Sequence, residues 1–327
     1  MATITDIAGE LNISTATVSR ALNQSRLVTP ELAARINETA NKLGYKKRVI
    51  RRHRGRAILN IKLVLPLHEE PERALFYDLS SLIEGIQRGF KLCGINLLCE
   101  TTSPKFQPYP HKKGGDLNGF IFAFNSPSPS TIKQLRAVGT PFVVLNRTID
   151  GLPCVGSENA AGMEMIANHL KSARQDLKPA YLTLKGLGQI NEERLEGFTA
   201  TCEKQGTPFN SETDVYNFHD IPSITAEAIA PLAKKYNALV CANDIIGTVV
   251  LSELDSLGVS VPSQVSVTGF DDSPVRRLSR PLLTTVSMPL SEIARAAASR
   301  LEAQIIENKP AEENIRVAGT LMVAETT

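Results

Sequence analysis

Residues 3–23 read TITDIAGELNISTATVSRALN, and the spacing of their apolar side chains decides how the N-terminal part folds. Thr5 is placed to cap a first helix from Asp6 to about Leu11, with Ile4, Ile7, Ala8 and Leu11 at i, i+3, i+4 and i+7. Asn12, Ile13 and Ser14 then interrupt the pattern with residues suited to a tight turn and an N-cap. A second helix is predicted from Thr15 to Leu22, burying Val18, Ala21 and Leu22. Its other face presents Thr15, Ala16, Thr17, Ser19 and Arg20: short hydrogen-bonding groups, a methyl and one long cation. A third helix opens at Pro30, carries Leu32, Ile36, Ala40 and Leu43, and is ended by Gly44. Two short helices joined by a tight turn, with a third packed behind, make the helix-turn-helix plan. A small, polar outer face lets the second helix approach base edges in a DNA major groove, which an ordinary three-helix bundle does not require.

Charge is distributed to match. The chain of 327 residues has a net charge of +2, yet residues 1–60 hold 11 Lys and Arg against 4 Asp and Glu, a net of +7. The remainder holds 25 against 30, a net of −5. A small basic head on an acidic body is the electrostatic form of a nucleic-acid-binding module joined to a separate domain. The strongest basic run, KKRVIRRHRGR at 46–56, has seven Lys or Arg and no acid.

From residue 58 onward apolar runs alternate with amphipathic stretches. Strands are expected at Ile61–Leu67, Ile95–Glu100, Gly119–Phe124, Pro141–Asn146, Ala180–Leu184, Leu239–Ala242 and Val265–Gly269. Helices are expected at about 79–93, 129–138, 159–172, 190–205, 223–236, 245–257 and 289–307. Continuous Val, Ile, Leu and Phe runs between helices predict parallel sheets covered on both faces. Two successive β-α series predict an α/β body of two similar lobes with a cleft between them.

The head resembles the DNA-binding domain of the lactose-repressor/galactose-repressor (LacI/GalR) family of bacterial transcription regulators, and ISTATVSRALN is similar to that family's recognition helix. The resemblance places Thr15, Ala16 and Arg20 against bases and Ser14, Thr17, Ser19 and Asn23 mostly against phosphates. The chemistry agrees, since Arg20 can fork onto guanine and the Ala16 methyl can pack on a thymine methyl. In the linker this sequence departs from the family. Lys47 stands in place of a proline and Arg54 in place of the leucine that wedges into the minor groove. Two readings stay open: a flexible, solvated basic linker, or a cationic hinge that lies in or along the minor groove, with Arg51 and Arg54 drawn to its narrow and strongly negative floor.

The likeness continues through FYDLSSLIEGI, LNGFIFAF, TPFVVLNR, SENAAGMEMIANHL, NEERLEGF, LVCANDIIGTVVLSELDSLGVSVPSQVSVTGFDD and LTTVSMPLSEIARAAASRL. It implies a periplasmic-binding-protein-like core. The expected organisation is a head at 1–45, a basic hinge at 46–58 and an effector-binding and dimerisation domain at 59–327. Lobe 1 would take about 59–157 and 289–316, and lobe 2 about 158–288 and 317–327. The stretch TTSPKFQPYPHKKGGD at 101–116 has three prolines and cannot hold the helix that the family places there. Carried over by motif, the effector contacts are Phe76, Tyr77, Arg194, Asn243 and Asp271, with Phe218 as a weaker aromatic match. Arg194 and Asp271 would offer a donor fork and an acceptor, suited to vicinal hydroxyls or a purine edge, or else would form a structural salt bridge with each other. The resemblance implies a repressor under a sugar-type effector, with a purine-type corepressor as the alternative reading. Its partners would be a pseudopalindromic double-stranded operator and a second copy of the chain in a homodimer.

Other classes fit less well. No apolar run reaches the about 18 residues of a membrane span, and the N-terminus lacks a signal-peptide pattern, so a cytoplasmic chain with no membrane partner is expected. That also counts against a sugar-binding protein of a transporter. Cysteines at 93, 99, 154, 202 and 241 form no C-x-x-C pair, and the five His are scattered, so neither metal nor other cofactor is expected. No phosphate loop, nucleophile elbow or zinc-protease helix is present, and an enzyme is not expected.

Overall fold

A computed structural model describes residues 3–22, 28–43, 45, 58–67, 77–103, 106–109, 117–307 and 314–327, the side chains of residues 16, 19, 20, 30 and 41 excepted. The chain divides into two units, Met1–Arg54 and Gly55–Thr327.

The first unit contains α1 (Ile4–Leu11), α2 (Thr15–Leu22) and α3 (Pro30–Lys42). Ile7, Ala8, Val18, Ala21, Ile36 and Ala40 form its buried core, and Leu11, Leu22, Val28, Leu32 and Tyr45 pack around them. The cap of α1 is Thr3 rather than Thr5. Thr3 Oγ1 accepts the Asp6 N–H while the Asp6 carboxylate accepts the Thr3 N–H at 2.7 Å, a reciprocal box that stabilises the first turn. Thr5 has Ala8 three residues on, which cannot reciprocate. Asn12 ends α1 in a left-handed conformation (φ 51°). Ser14 then opens α2, its Oγ accepting the Thr17 N–H at 3.1 Å.

The second unit is built on two parallel sheets. The larger, in the order β11-β5-β4-β3-β1-β2, contains β1 (Ile58–Leu65), β2 (Gly94–Thr101), β3 (Leu117–Ala123), β4 (Phe142–Leu145), β5 (Cys154–Ser157) and β11 (Ile315–Val317). The smaller, in the order β7-β6-β8-β9, contains β6 (Pro179–Leu184), β7 (Val215–Phe218), β8 (Ala238–Cys241) and β9 (Ser266–Thr268). The antiparallel pair β10 (Thr285–Ser287) and β12 (Thr320–Met322) extends this lobe, with Val286 in its core. Central strands β4, β6 and β8 are buried along their whole length, as continuous apolar runs require.

Helices α4 (Leu79–Gly89), α5 (Pro129–Val138) and α10 (Leu290–Glu307) accompany the larger sheet. The smaller sheet is accompanied by α6 (Asn159–Ala173), α7 (Gln189–Lys204), α8 (Ala226–Lys235) and α9 (Asp244–Ser256). The chain passes between the lobes after Ser157, after Ser287 and after Val317, and the Glu158 N–H donates to Val317 O at 3.0 Å.

Some expected boundaries move for local reasons. Helix α4 ends at Gly89 and not near 93 because the buried Glu302 carboxylate accepts the N–H groups of Lys91, Leu92 and Cys93. Helix α8 begins at Ala226 and not at 223, since Thr225 caps it and 221–223 form a separate tight turn. Strand β5 was not expected from CVGS, which has too few apolar residues to announce itself. The described residues of 101–116 contain no helix.

Helices α4 and α10 cross closely, and glycines make the approach possible. A Cβ on Gly85 would fall within 2.7 Å of Ala294 Cβ and closer still to Ser291 O. Gly85→Ala should therefore force the helices apart and cost roughly 1–3 kcal/mol, read as a lower urea midpoint at unchanged slope.

Candidate functional site

Strand order reverses around β1 and β3 in the larger sheet and around β6 and β8 in the smaller, and ligands of open α/β sheets bind at such points. A space of about 590 Å³, counted to its open mouth, lies there. Its described walls are built largely from residues just beyond strand ends. Phe124, Asn146 and Arg147 follow β3 and β4 on lobe 1, and Ala242, Asn243 and Asp271 follow β8 and β9 on lobe 2. Tyr77 before α4, Asn191 and Arg194 on α7, and Met288 at a crossover complete the polar and aromatic lining. Phe124 (φ 60°), Asn146 (φ 54°) and Asp271 (φ 105°) all hold left-handed backbones that side-chain-bearing residues disfavour. Strain of this kind concentrates where a site needs a fixed direction for a side chain.

The structure brings four of the six expected cleft residues together: Tyr77, Arg194, Asn243 and Asp271 all line the space. Tyr77 stacks on Phe124, with ring centroids 4.1 Å apart and planes at 18°. Asn243 caps α9 by accepting the Ile246 N–H at 3.0 Å, leaving its amide nitrogen for the cleft. Phe218 is not among the described lining residues, because it ends edge strand β7 and packs on the lobe 2 core. Phe76 lies outside the described residues.

Arg194 and Asp271 meet each other before they meet anything else. Arg194 Nη2 donates to Asp271 Oδ1 at 2.5 Å, Nη1 to Ala242 O at 2.6 Å and Nε to Asn159 Oδ1 at 3.1 Å. The guanidinium carbon sits 3.8 Å from the centre of the Phe270 ring. Burial raises the Asp271 carboxyl from its ordinary value, and Arg194 pulls it back. The pair thus forms a largely satisfied floor, the salt bridge that was one of the two readings of these residues.

Asn146, Arg147, Asn191, Phe124 and Met288 were not foreseen. Asn191 Oδ1 accepts from Tyr181 Oη at 3.0 Å and Thr183 Oγ1 at 2.7 Å, which turns its amide nitrogen outward. Arg147 donates to its neighbour's carbonyl, Asn146 O, at 2.7 Å. The signal was available, since all of FAF and LNR stand at the ends of predicted strands, where lining residues of such clefts arise.

In the head, α2 presents Thr15 as an exposed residue and Thr17 as a half-buried one. Ser14 Oγ and Thr17 Oγ1 are 2.8 Å apart and share a hydrogen bond. The side chains of Ala16, Ser19 and Arg20, and the whole of Asn23, Arg51 and Arg54, lie outside the described residues.

Comparison with known proteins follows the same division. Residues 3–47 match the family described as bacterial regulatory proteins, lacI family, and residues 169–327 match the periplasmic binding protein-like domain. The ribose operon repressor of Bacillus subtilis (strain 168) is 29% identical over 338 residues, covering 100% of this chain and 99% of that relative. Over its whole length the chain is similar to LacI/GalR bacterial transcription regulators. Its fold is also that of a transcriptional regulator, CelR, solved as a cellobiose complex, with a TM-score of 0.68, 22% identity and 100% of both chains covered. A LacI family regulator from Enterococcus faecium, solved with bound ribose, has a TM-score of 0.66 at 19% identity, over 82% of this chain and 98% of that one. With a head of the lacI type at 3–47, the chain is a DNA-binding transcription regulator. Among its described residues no helix is long and apolar enough to cross a membrane, and no group of three His, Cys, Asp or Glu could hold a metal.

Behind the cleft floor Asp244 is fully buried, accepting the Ser273 N–H and the Thr285 hydroxyl, each at 2.6 Å. Burial, then the neighbouring Asp271 charge, pushes its carboxyl up to about 8. The folded chain therefore keeps a proton that the unfolded chain releases near pH ~4. This contribution to stability is complete below about pH 4 and is lost as pH rises through about 8. Asp244→Asn keeps an acceptor for Ser273 and cannot titrate. Urea unfolding from about pH 5 to 9 should show wild type losing stability relative to this variant, and a constant difference would refute the assignment.

Proposed function

We propose that this regulator is a repressor whose DNA affinity is set by a polyhydroxylated small molecule, a sugar or sugar derivative, bound between the lobes. The observation that carries this reading is a cleft lined from both lobes by strand-end residues, three of them held in disfavoured backbone conformations, in a chain that also carries a helix-turn-helix. An aromatic wall of Tyr77 and Phe124 suits a sugar ring, and Asn191 and Asn243 suit its hydroxyls. The names of the relatives point the same way: one is a ribose operon repressor, and two folds of this type were solved with cellobiose and ribose. A ligand touching both lobes favours one lobe arrangement by its difference in affinity for the two, and couplings of about 1–3 kcal/mol are typical.

In this reading the protein acts in the cytoplasm as a homodimer on a pseudopalindromic operator. One small head offers too few base contacts for tight specific binding, whereas two on a twofold axis read both half-sites. Exposed Leu79 and Leu98 on lobe 1, and Leu257 and Leu278 on lobe 2, support burial against a second copy near α4 and α9. Thr15, Ala16 and Arg20 read bases. Ser14, Thr17, Ser19 and Asn23 hold phosphates, and Arg51 and Arg54 of the basic hinge follow the minor groove.

The DNA roles separate on a duplex selected from a random library. Arg20→Ala should relax base preference and cost about 1–3 kcal/mol on the selected site. Neutralising Lys46, Lys47, Arg51 and Arg52 should change preference little while flattening the salt dependence, by roughly 0.9 in log K against log salt for each phosphate that is no longer neutralised. A reversal of these effects would reverse the assignment.

The cleft role is tested with Asp271→Asn, which keeps the shape of the floor and removes its charge. A ligand first identified by thermal shift should lose its effect on DNA binding in this variant, while DNA affinity without ligand stays within about threefold of wild type. A folded variant that no longer binds DNA at all would make Asp271 structural and end the effector-site assignment.

A further inference from the structure

Among the described residues, the acids nearest the cleft floor each have a partner. Glu193 takes a bidentate pair from Arg316, with Nη2 to Oε1 at 3.0 Å and Nη1 to Oε2 at 3.1 Å. Asp272 is held by Arg276 at 2.9 Å, and Asp271 by Arg194 at 2.5 Å. Asp244 is fully buried with both oxygens engaged. One cation is left over. Arg147 lines the cleft from lobe 1, and among the described residues its only hydrogen bond is the one to the carbonyl of Asn146, with no carboxylate paired to it. The described lining therefore carries two arginines and one carboxylate, a net of one positive charge.

The neutral groups lean the same way. Both lining asparagines of lobe 2 have their carbonyl oxygens engaged, Asn243 by the Ile246 N–H and Asn191 by two hydroxyls. What they turn to the cleft is N–H. A cleft of donors, with its one carboxylate already bound, is short of acceptors and of negative charge. Burial, then the like charge of Arg194, depresses the Arg147 guanidinium from its ordinary value, and the charges of Asp271 and Glu193, neither of them paired with it, offset this in part; an anion bound directly to it would do so further.

We infer that the cleft takes an anionic sugar derivative, whose carboxylate or phosphate pairs with Arg147 while its ring lies against Tyr77 and Phe124. A planar guanidinium binds either anion through paired, charge-assisted hydrogen bonds, and such bonds are stronger than those to a neutral hydroxyl. The inference rests on the cleft being the effector site, and it names the class of ligand for that site.

Calorimetric titration of the full-length protein with matched pairs tests it. Glucuronate and gluconate form the carboxylate arm, glucose 6-phosphate and ribose 5-phosphate the phosphate arm, and glucose and ribose are the neutral members. In at least one arm the acid should bind at least about tenfold more tightly than its neutral parent, and this ratio should shrink with added salt. Arg147→Gln should abolish the ratio by weakening the acid at least about tenfold more than its neutral parent, and Arg147→Lys should restore part of it. Equal or tighter binding of the neutral member in every pair overturns the inference and leaves the cleft reading standing, as does an Arg147→Gln variant that weakens both members alike. Absence of binding by every compound to the wild type overturns both.

Discussion

The guanidinium of Arg194 is the joint on which the floor of the cleft depends. Its donors reach the start of α6 through Asn159, the end of β8 through Ala242 O, and the end of β9 through Asp271, while its face lies on Phe270. Phe270 is itself pinned, because the space over Gly162 is only large enough for the ring: a Cβ there would lie 2.6 Å from it. A buried ion pair adds little net stability compared with apolar packing, but its directionality holds loop ends that would otherwise have several arrangements. Asp271 accordingly keeps a strained backbone, with its N–H on Val286 O at 2.8 Å and its carbonyl accepting the Met288 N–H at 3.1 Å. Strand-end loops become a fixed surface through this one cation.

Much of this architecture was legible in the chain because buried parallel strands cannot hide. GFIFA, PFVVL and LVCA are continuous apolar runs between amphipathic helices, and each is a central strand. Elements whose reason lies elsewhere in the chain were not legible. Strands β10 and β12 are three residues each and gain their identity only by pairing Thr285 with Met322 and Ser287 with Thr320. Glu302 ends α4 from more than two hundred residues away. Thr3 and Thr5 look alike as caps until Asp6 is seen closing on Thr3.

The cleft was legible to a similar degree. Tyr77, Asn243, Arg194 and Asp271 stand in motifs that announce them, whereas Asn146 and Arg147 stand in an ordinary LNR at a strand end. That Arg194 and Asp271 satisfy one another is a fact of distance alone, since 77 residues separate them. Their mutual pairing also changes what Arg147 means, because the carboxylate that could have neutralised it is already taken.

Three chain segments cross between the lobes, and two of them are held side by side by the bond from the Glu158 N–H to Val317 O. A single covalent link would let the lobes turn in any direction. A seam of three resists twisting and sliding more than it resists bending. Glu193 and Arg194 are neighbours on α7, yet the first grips Arg316 on lobe 1 and the second grips Asp271 on lobe 2. The start of that helix is therefore tied to both sides of the seam. A molecule held from both lobes thus acts mainly on how far that seam bends.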